Sequence, residues 1–114
     1  MIKHITVSKA DGTWTVRAGG AVIAESSNAV ELTEGAMPSV AYFPREDVAM
    51  AFLDESDHTT TCPHKGVARY FHIMSKSMTY ENAVWSYEDP KEDATGIKGY
   101  LAFAQQDGVT VEQV

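Results

Sequence analysis

A mainly β domain with one short helix is the fold class this sequence predicts, and three observations predict it. Short stretches with alternating or apolar-aromatic patterns recur along the chain. Turn-forming pairs punctuate them, including Asp11-Gly12, Gly19-Gly20 and Asp107-Gly108. Only one stretch, near residues 45–53, carries the signs of a helix. The strands are expected to be largely antiparallel, in a sandwich or partly open barrel, with an α+β arrangement as the alternative.

The elements follow in order. "IKHITVS" sets Ile2, His4 and Thr6 against Lys3, Ile5 and Val7, as a strand does. "TWTVRAGGAVIAES" reads as two strands joined by a two-residue turn in which Gly19 and Gly20 accept positive φ. Alternation there places Val22 and Ala24 on one face, with Ile23 and Glu25 on the other. "SSNAVELTEGAMPS" is loop-rich, with a short strand at Ala29–Leu32. "VAYFP" is a buried strand ended by Pro44. In "PREDVAMAFLDES", Pro44 suits the first helical position, and Glu46 and Asp47 suit its positive end. Val48, Ala51 and Phe52 then share one helical face, with Asp54–Asp57 ending the helix. "VARYFHIM" and "MTYENAVWSY" are long strands separated by "SKS". "EDPKEDATG" is a charged loop with room for one helical turn, and "GYLAF" and "VTVEQ" complete the strands.

At 114 residues, 44% hydrophobic and 22% charged, the chain has the makings of a single domain spanning 1–114. Sixteen acids against nine bases leave a net charge of −7, which repels phosphate backbones and disfavours nucleic-acid binding. One cysteine forms no internal disulfide. "MIKHITVSKADG" has no apolar signal core, and no run approaches a membrane span. The expectation is a soluble cytoplasmic protein that needs no membrane and no cofactor; its oligomeric state is left open.

"TTTCPHKG", residues 59–66, concentrates reactive residue types. As a hairpin loop between Thr59–Cys62 and Val67–Met74, Pro63-His64-Lys65-Gly66 needs Pro63 to set φ and Gly66 to supply the left-handed residue. Cys62 and Lys65 are not needed by that turn. The interval from His58 to Tyr80 contains no acidic residue but carries Lys65, Arg69, Lys76, His58, His64 and His72. Such a basic island in an acidic chain suits a small anionic partner, held by the lysine as a point charge and by an arginine as a bidentate fork. Cys62 has three readings: a small buried hydrophobe at a strand end, a thiolate nucleophile, or a metal ligand with His58 and His64. The third lacks the second ligand pair that a tetrahedral zinc site uses, so no metal is expected.

Arg45 stands at a strand-to-helix junction, where helical amides favour anions, or simply pairs with Glu46 or Asp47. Trp85 and Tyr87, two apart in a strand, are either core or one wall of a pocket. Glu88 and Asp89 follow them. Neither a Gly-x-Ser-x-Gly elbow nor a phosphate-cradling Gly-Lys-Ser/Thr loop is present.

Together, "YFPREDV", "TTTCPHKGVARY", "ENAVWSYEDP" and "GIKGYLAF" resemble the domain of unknown function 427 family, over most of residues 39–103, with "GGAVIAES" similar to its N-terminal part. The resemblance implies a small, mostly β, stand-alone protein of bacterial type without an established activity. The family's signature positions fall on Arg45, Glu46 and Asp47; on Thr61, Cys62, Pro63, Lys65, Gly66 and Tyr70; on Asn82, Ala83, Trp85, Tyr87 and Pro90; and on Gly99 and Tyr100. The family also carries a nucleotidyltransferase label. Nucleotidyl transfer of the polymerase-beta kind uses Gly-Ser followed by Asp-x-Asp to hold magnesium, and this chain has neither.

The functional expectation is one ligand site, with or without chemistry. Arg45, Lys65 and Arg69 would hold an anionic or nucleotide-like group, Trp85 and Tyr87 would form the apolar wall, and Cys62 would be the candidate catalytic thiol. The alternative is a binding or structural module without turnover.

Overall fold

The structure, a computed structural model, describes residues 4–114. Ile2 and Lys3, which open the first alternating segment, lie outside the described residues. The described residues form ten strands: β1 (Ile5–Lys9), β2 (Trp14–Ala18), β3 (Ala21–Ser26), β4 (Val30–Glu34), β5 (Val40–Tyr42), β6 (Leu53–Cys62), β7 (Gly66–Met74), β8 (Thr79–Ser86), β9 (Leu101–Phe103) and β10 (Val109–Gln113). They form three antiparallel sheets, ordered β1-β4-β5, β10-β2-β3 and β6-β7-β8-β9. The mainly β, antiparallel expectation therefore holds, and among the described residues no sheet closes into a barrel.

The four-stranded sheet carries a separate core on each face, and its alternation divides the residues between them. Phe71, Ile73, Val84, Leu101 and Phe103 pack with Val16, Ile23 and Val109 of the β10-β2-β3 sheet. Ala68, Tyr87 and Ala102 pack with Ile5, Leu32 and Tyr42 of the β1-β4-β5 sheet, backed by Ala94 and Ile97. The same alternation sends Tyr42 into the second core and its neighbour Phe43 into the first. Phe43 also ties two sheets together, donating its amide to the Leu101 carbonyl at 2.8 Å and accepting from the Leu101 amide at 2.9 Å.

The helix expected over residues 45–53 is replaced by two 3-10 turns, Arg45–Asp47 and Met50–Phe52. Between them Val48 is extended, at φ −112° and ψ 136°, and bridges to Ala24. Burying a β-branched side chain in the first core and pairing with β3 outweighs the weak local signal for a helix. The acidic run Asp54–Asp57, read as the end of a helix, lies within β6 instead. As an outer strand β6 tolerates such residues, because exposed charge on an edge discourages pairing with other chains. A register shift between Glu55 and Thr59 bends it further.

The Gly19-Gly20 hairpin forms as expected, with φ of 56° and 87° at its two central residues. Its predicted faces do not survive. Val16 pairs with Ala24 but Arg17 with Val22, so Ile23 is an extra, bulged residue. Ile23 and Ala24 consequently both turn inward while Val22 is exposed. The short strand expected at Ala29–Leu32 is β4, displaced to Val30–Glu34. In "CPHKG", Cys62 pairs with Gly66, so the loop proper is Pro63-His64-Lys65, and Gly66 opens β7 at φ 110°.

Candidate functional site

The second face of the four-stranded sheet is only partly roofed by the β1-β4-β5 sheet. A cleft of about 400 Å³ opens there, with Tyr42 and Val40 on one side and Tyr70, Trp85 and Tyr87 on the other. Lys65 and Asn82 also line it. Strand register explains the grouping. Tyr70 and Trp85 are Cα partners on β7 and β8, so their side chains leave the same face, and Tyr87 continues that face two residues on. Their rings lie 6.5 Å apart.

Hydrogen bonds hold the aromatic walls in place. The Trp85 indole N–H donates to the Tyr42 hydroxyl at 3.1 Å, and the two rings meet edge-on at 6.4 Å. The hydroxyls of Tyr70 and Thr60 lie 3.0 Å apart. Burial pushes the Tyr42 phenol up to about 12 and drives that of Tyr87 higher still. Both therefore stay protonated at neutral pH and serve as O–H groups rather than as bases.

Lys65 brings the positive charge. Its ammonium donates to Glu34 Oε1 at 2.9 Å and sits 5.8 Å from the centre of the Tyr87 ring. The hydrogen bond from Lys65 holds the Glu34 carboxyl below its ordinary value, more than offsetting the opposing effect of desolvation. The Glu34 carboxylate is thus charged at neutral pH, and an incoming group meets a lysine already engaged.

The expected site residues divide between the two faces. Lys65, Trp85 and Tyr87 share the cleft. Arg45 lies on the opposite face, over the Phe71 ring at 5.8 Å. It donates to Glu88 Oε2 at 2.7 Å, to the Gly99 carbonyl at 3.2 Å and to the Ser86 hydroxyl at 3.4 Å. Ser86, fully buried, itself donates to the same Glu88 oxygen at 2.6 Å. Arg45 is therefore paired with Glu88, not with Glu46 or Asp47, and works as a structural tie. Arg69, the Cα partner of Ser86, also leaves this opposite face and borders a separate hollow with Glu55 and Asp57. Cys62 is half-buried against the second core and does not line the cleft. His64 stacks on His4 at 5.5 Å, and the His58 ring lies tilted against Tyr70 at 4.7 Å.

Tyr42, Tyr70 and Asn82 are cleft residues that sequence reading did not single out as ligand contacts. Asn82 carried a signal: asparagine is rare in strands. It adopts φ 52° where the β7–β8 register shifts. Its amide donates to His72 Nδ1 at 3.0 Å, and its side-chain carbonyl accepts from the Ser56 hydroxyl. Tyr42 offered no such mark, because nothing in "VAYFP" says which neighbour it will face.

Among the described residues no three histidine, cysteine or carboxylate side chains gather where they could hold a metal ion. No helix of the described residues is long and apolar enough to cross a membrane. No curated protein matches the chain closely enough to count as a relative. A family model does match, over residues 6–114, with the description "domain of unknown function (DUF427)" and a nucleotidyltransferase-like label, and with nearly the whole length covered the chain belongs to that family.

Proposed function

We propose that this domain works by non-covalent binding of a small organic molecule in the aromatic cleft. The ligand's flat, apolar body rests on Tyr70 and Trp85. A hydrogen-bond acceptor on it, whether a hydroxyl, a carboxylate or a single phosphate, reaches Lys65 and competes there with Glu34. One observation carries this reading: four aromatic side chains and one lysine converge on a single opening of about 400 Å³. That size lies within the usual range for ligand sites, roughly 300–1,000 Å³. The phenols of Tyr42 and Tyr87 stay protonated and supply further donors. Cys62 and Arg45 have no part in the binding, because neither borders the opening.

Trp85 fluorescence and thermal denaturation, read with benzoate, phenyl phosphate and adenosine monophosphate, test the reading. At least one of these is expected to raise the melting temperature and alter the emission. Lys65→Met should weaken that ligand about tenfold, the value of one charge-assisted hydrogen bond. Equal weakening by Arg45→Ala and Lys65→Met overturns it, and so does silence from these three ligands and from neutral sugars alike.

A further inference from the structure

Trp85 is a wall of two hollows, not one. A second hollow, of about 220 Å³, shares Val40, Trp85 and Ala104 with the cleft and runs on to Trp14, Glu31 and Gln105. We propose that the two form one groove that takes a neutral, elongated saccharide chain, with sugar rings seated on both sides of Trp85. This rests on the cleft being a ligand site and names the class of ligand.

The chemistry of the lining argues for this class. Both tryptophans have their indole N–H already engaged, Trp85 with the Tyr42 hydroxyl and Trp14 with the Asp11 carbonyl at 2.9 Å. Each ring is held in place with its donor occupied, which leaves ring carbon rather than the N–H to a ligand. A ring face suits the C–H face of a pyranose, whose positively polarised hydrogens meet the negative π cloud. The polar groups interspersed with these rings are Asn82 in the cleft, and Glu31, Ser39 and Gln105 beyond it. Amide, hydroxyl and carboxylate groups match the paired donor and acceptor character of sugar hydroxyls.

Charge excludes the competing stacked polymer. A single-stranded nucleic acid also stacks on aromatic faces, but it needs a positive track for its phosphates. Among the described residues that line the groove Lys65 is the one cation, and it is tied to Glu34 at 2.9 Å. Glu31 adds a negative charge, and the chain carries −7 overall. A neutral chain loses nothing in this field.

Calorimetric titration of the full chain with cellobiose, cellohexaose, xylohexaose and chitohexaose tests the proposal. One hexasaccharide is expected to bind at least tenfold more tightly than a disaccharide of the same sugar. Trp14→Ala should erase that gain and leave disaccharide binding unchanged. Because Trp14 also packs on the first core, Glu31→Ala serves as a second variant, with the same direction expected. Equal affinity for the short and long chains overturns the extended groove and leaves the cleft reading standing. Binding of benzoate or phenyl phosphate with no saccharide binding does the same. Silence from every probe removes both.

Discussion

The two faces of the four-stranded sheet are built from the same strands, yet one is sealed and the other open. On the sealed face Phe71, Ile73, Val84 and Phe103 meet a whole second sheet, and Arg45, Ser86 and Glu88 close the margin with hydrogen bonds. On the open face Tyr70 and Trp85 stay half-exposed, because the β1-β4-β5 sheet covers only part of it. The lesson is that Arg45, Ser86 and Glu88 at the sealed face are consumed by one another, whereas aromatic residues on the open face keep a surface free.

The largest effect that tests this contrast is on stability. Phe43→Ala, at a fully buried position packed edge-on against Phe103 at 5.6 Å, should cost about 3–5 kcal/mol in urea unfolding. Tyr70→Ala, on the open face, should cost only about 1–2 kcal/mol. Equal losses would mean that the open face is as much a core as the sealed one.

A smaller effect concerns the pair at the cleft margin. Glu34→Gln should lower stability at pH 7 by about 1 kcal/mol, as expected of a largely covered single ion pair. Lys65 makes Glu34 hold its proton less readily in the folded chain than in the unfolded one. Its contribution is thus complete above the ordinary value of 4.5 and fades as pH falls through the lowered value. Melting curves of the two proteins should converge as pH falls below 4.5; a gap that persists in strong acid means the pair is not the cause.

The smallest effect is expected at the residue that looked most like an anion hook. Arg45→Ala breaks a pair whose side chains are 38% and 43% exposed, so the loss should be at most about 1 kcal/mol. Cleft ligands should bind unchanged. A binding defect in this variant would show that the two faces communicate.

The strand pattern was readable because alternation and turn glycines are local properties. The Gly19-Gly20 and Asp107-Gly108 turns and the Pro63–Gly66 tip all fall where the chain's own chemistry places them. The failures are tertiary. Val48 gives up a helix for a partner on β3, and Asp54–Asp57 belong to a strand because β6 happens to be an edge. Ile23 turns inward through a bulge that no periodicity announces. Of the candidate site, Trp85 and Tyr87 could be paired by their spacing of two. Separating Lys65 from Arg45 and Arg69 required knowing the register of β7 against β8, which is set by contacts far apart in sequence.

That distance also governs the order of assembly. β10 is the outer neighbour of β2, with Val109 opposite Ala18 and Gln113 opposite Trp14, a separation close to the length of the chain. The Val114 amide then reaches back to the Thr13 carbonyl at 2.8 Å. During synthesis, β2 and β3 can form their hairpin early, but the sheet that seals the first core stays one strand short until β10 has been made. Loop closure over such a span is slow. Removing β10 should therefore leave an exposed strand edge beside an unfinished core, and with it a tendency to associate rather than a smaller, intact fold.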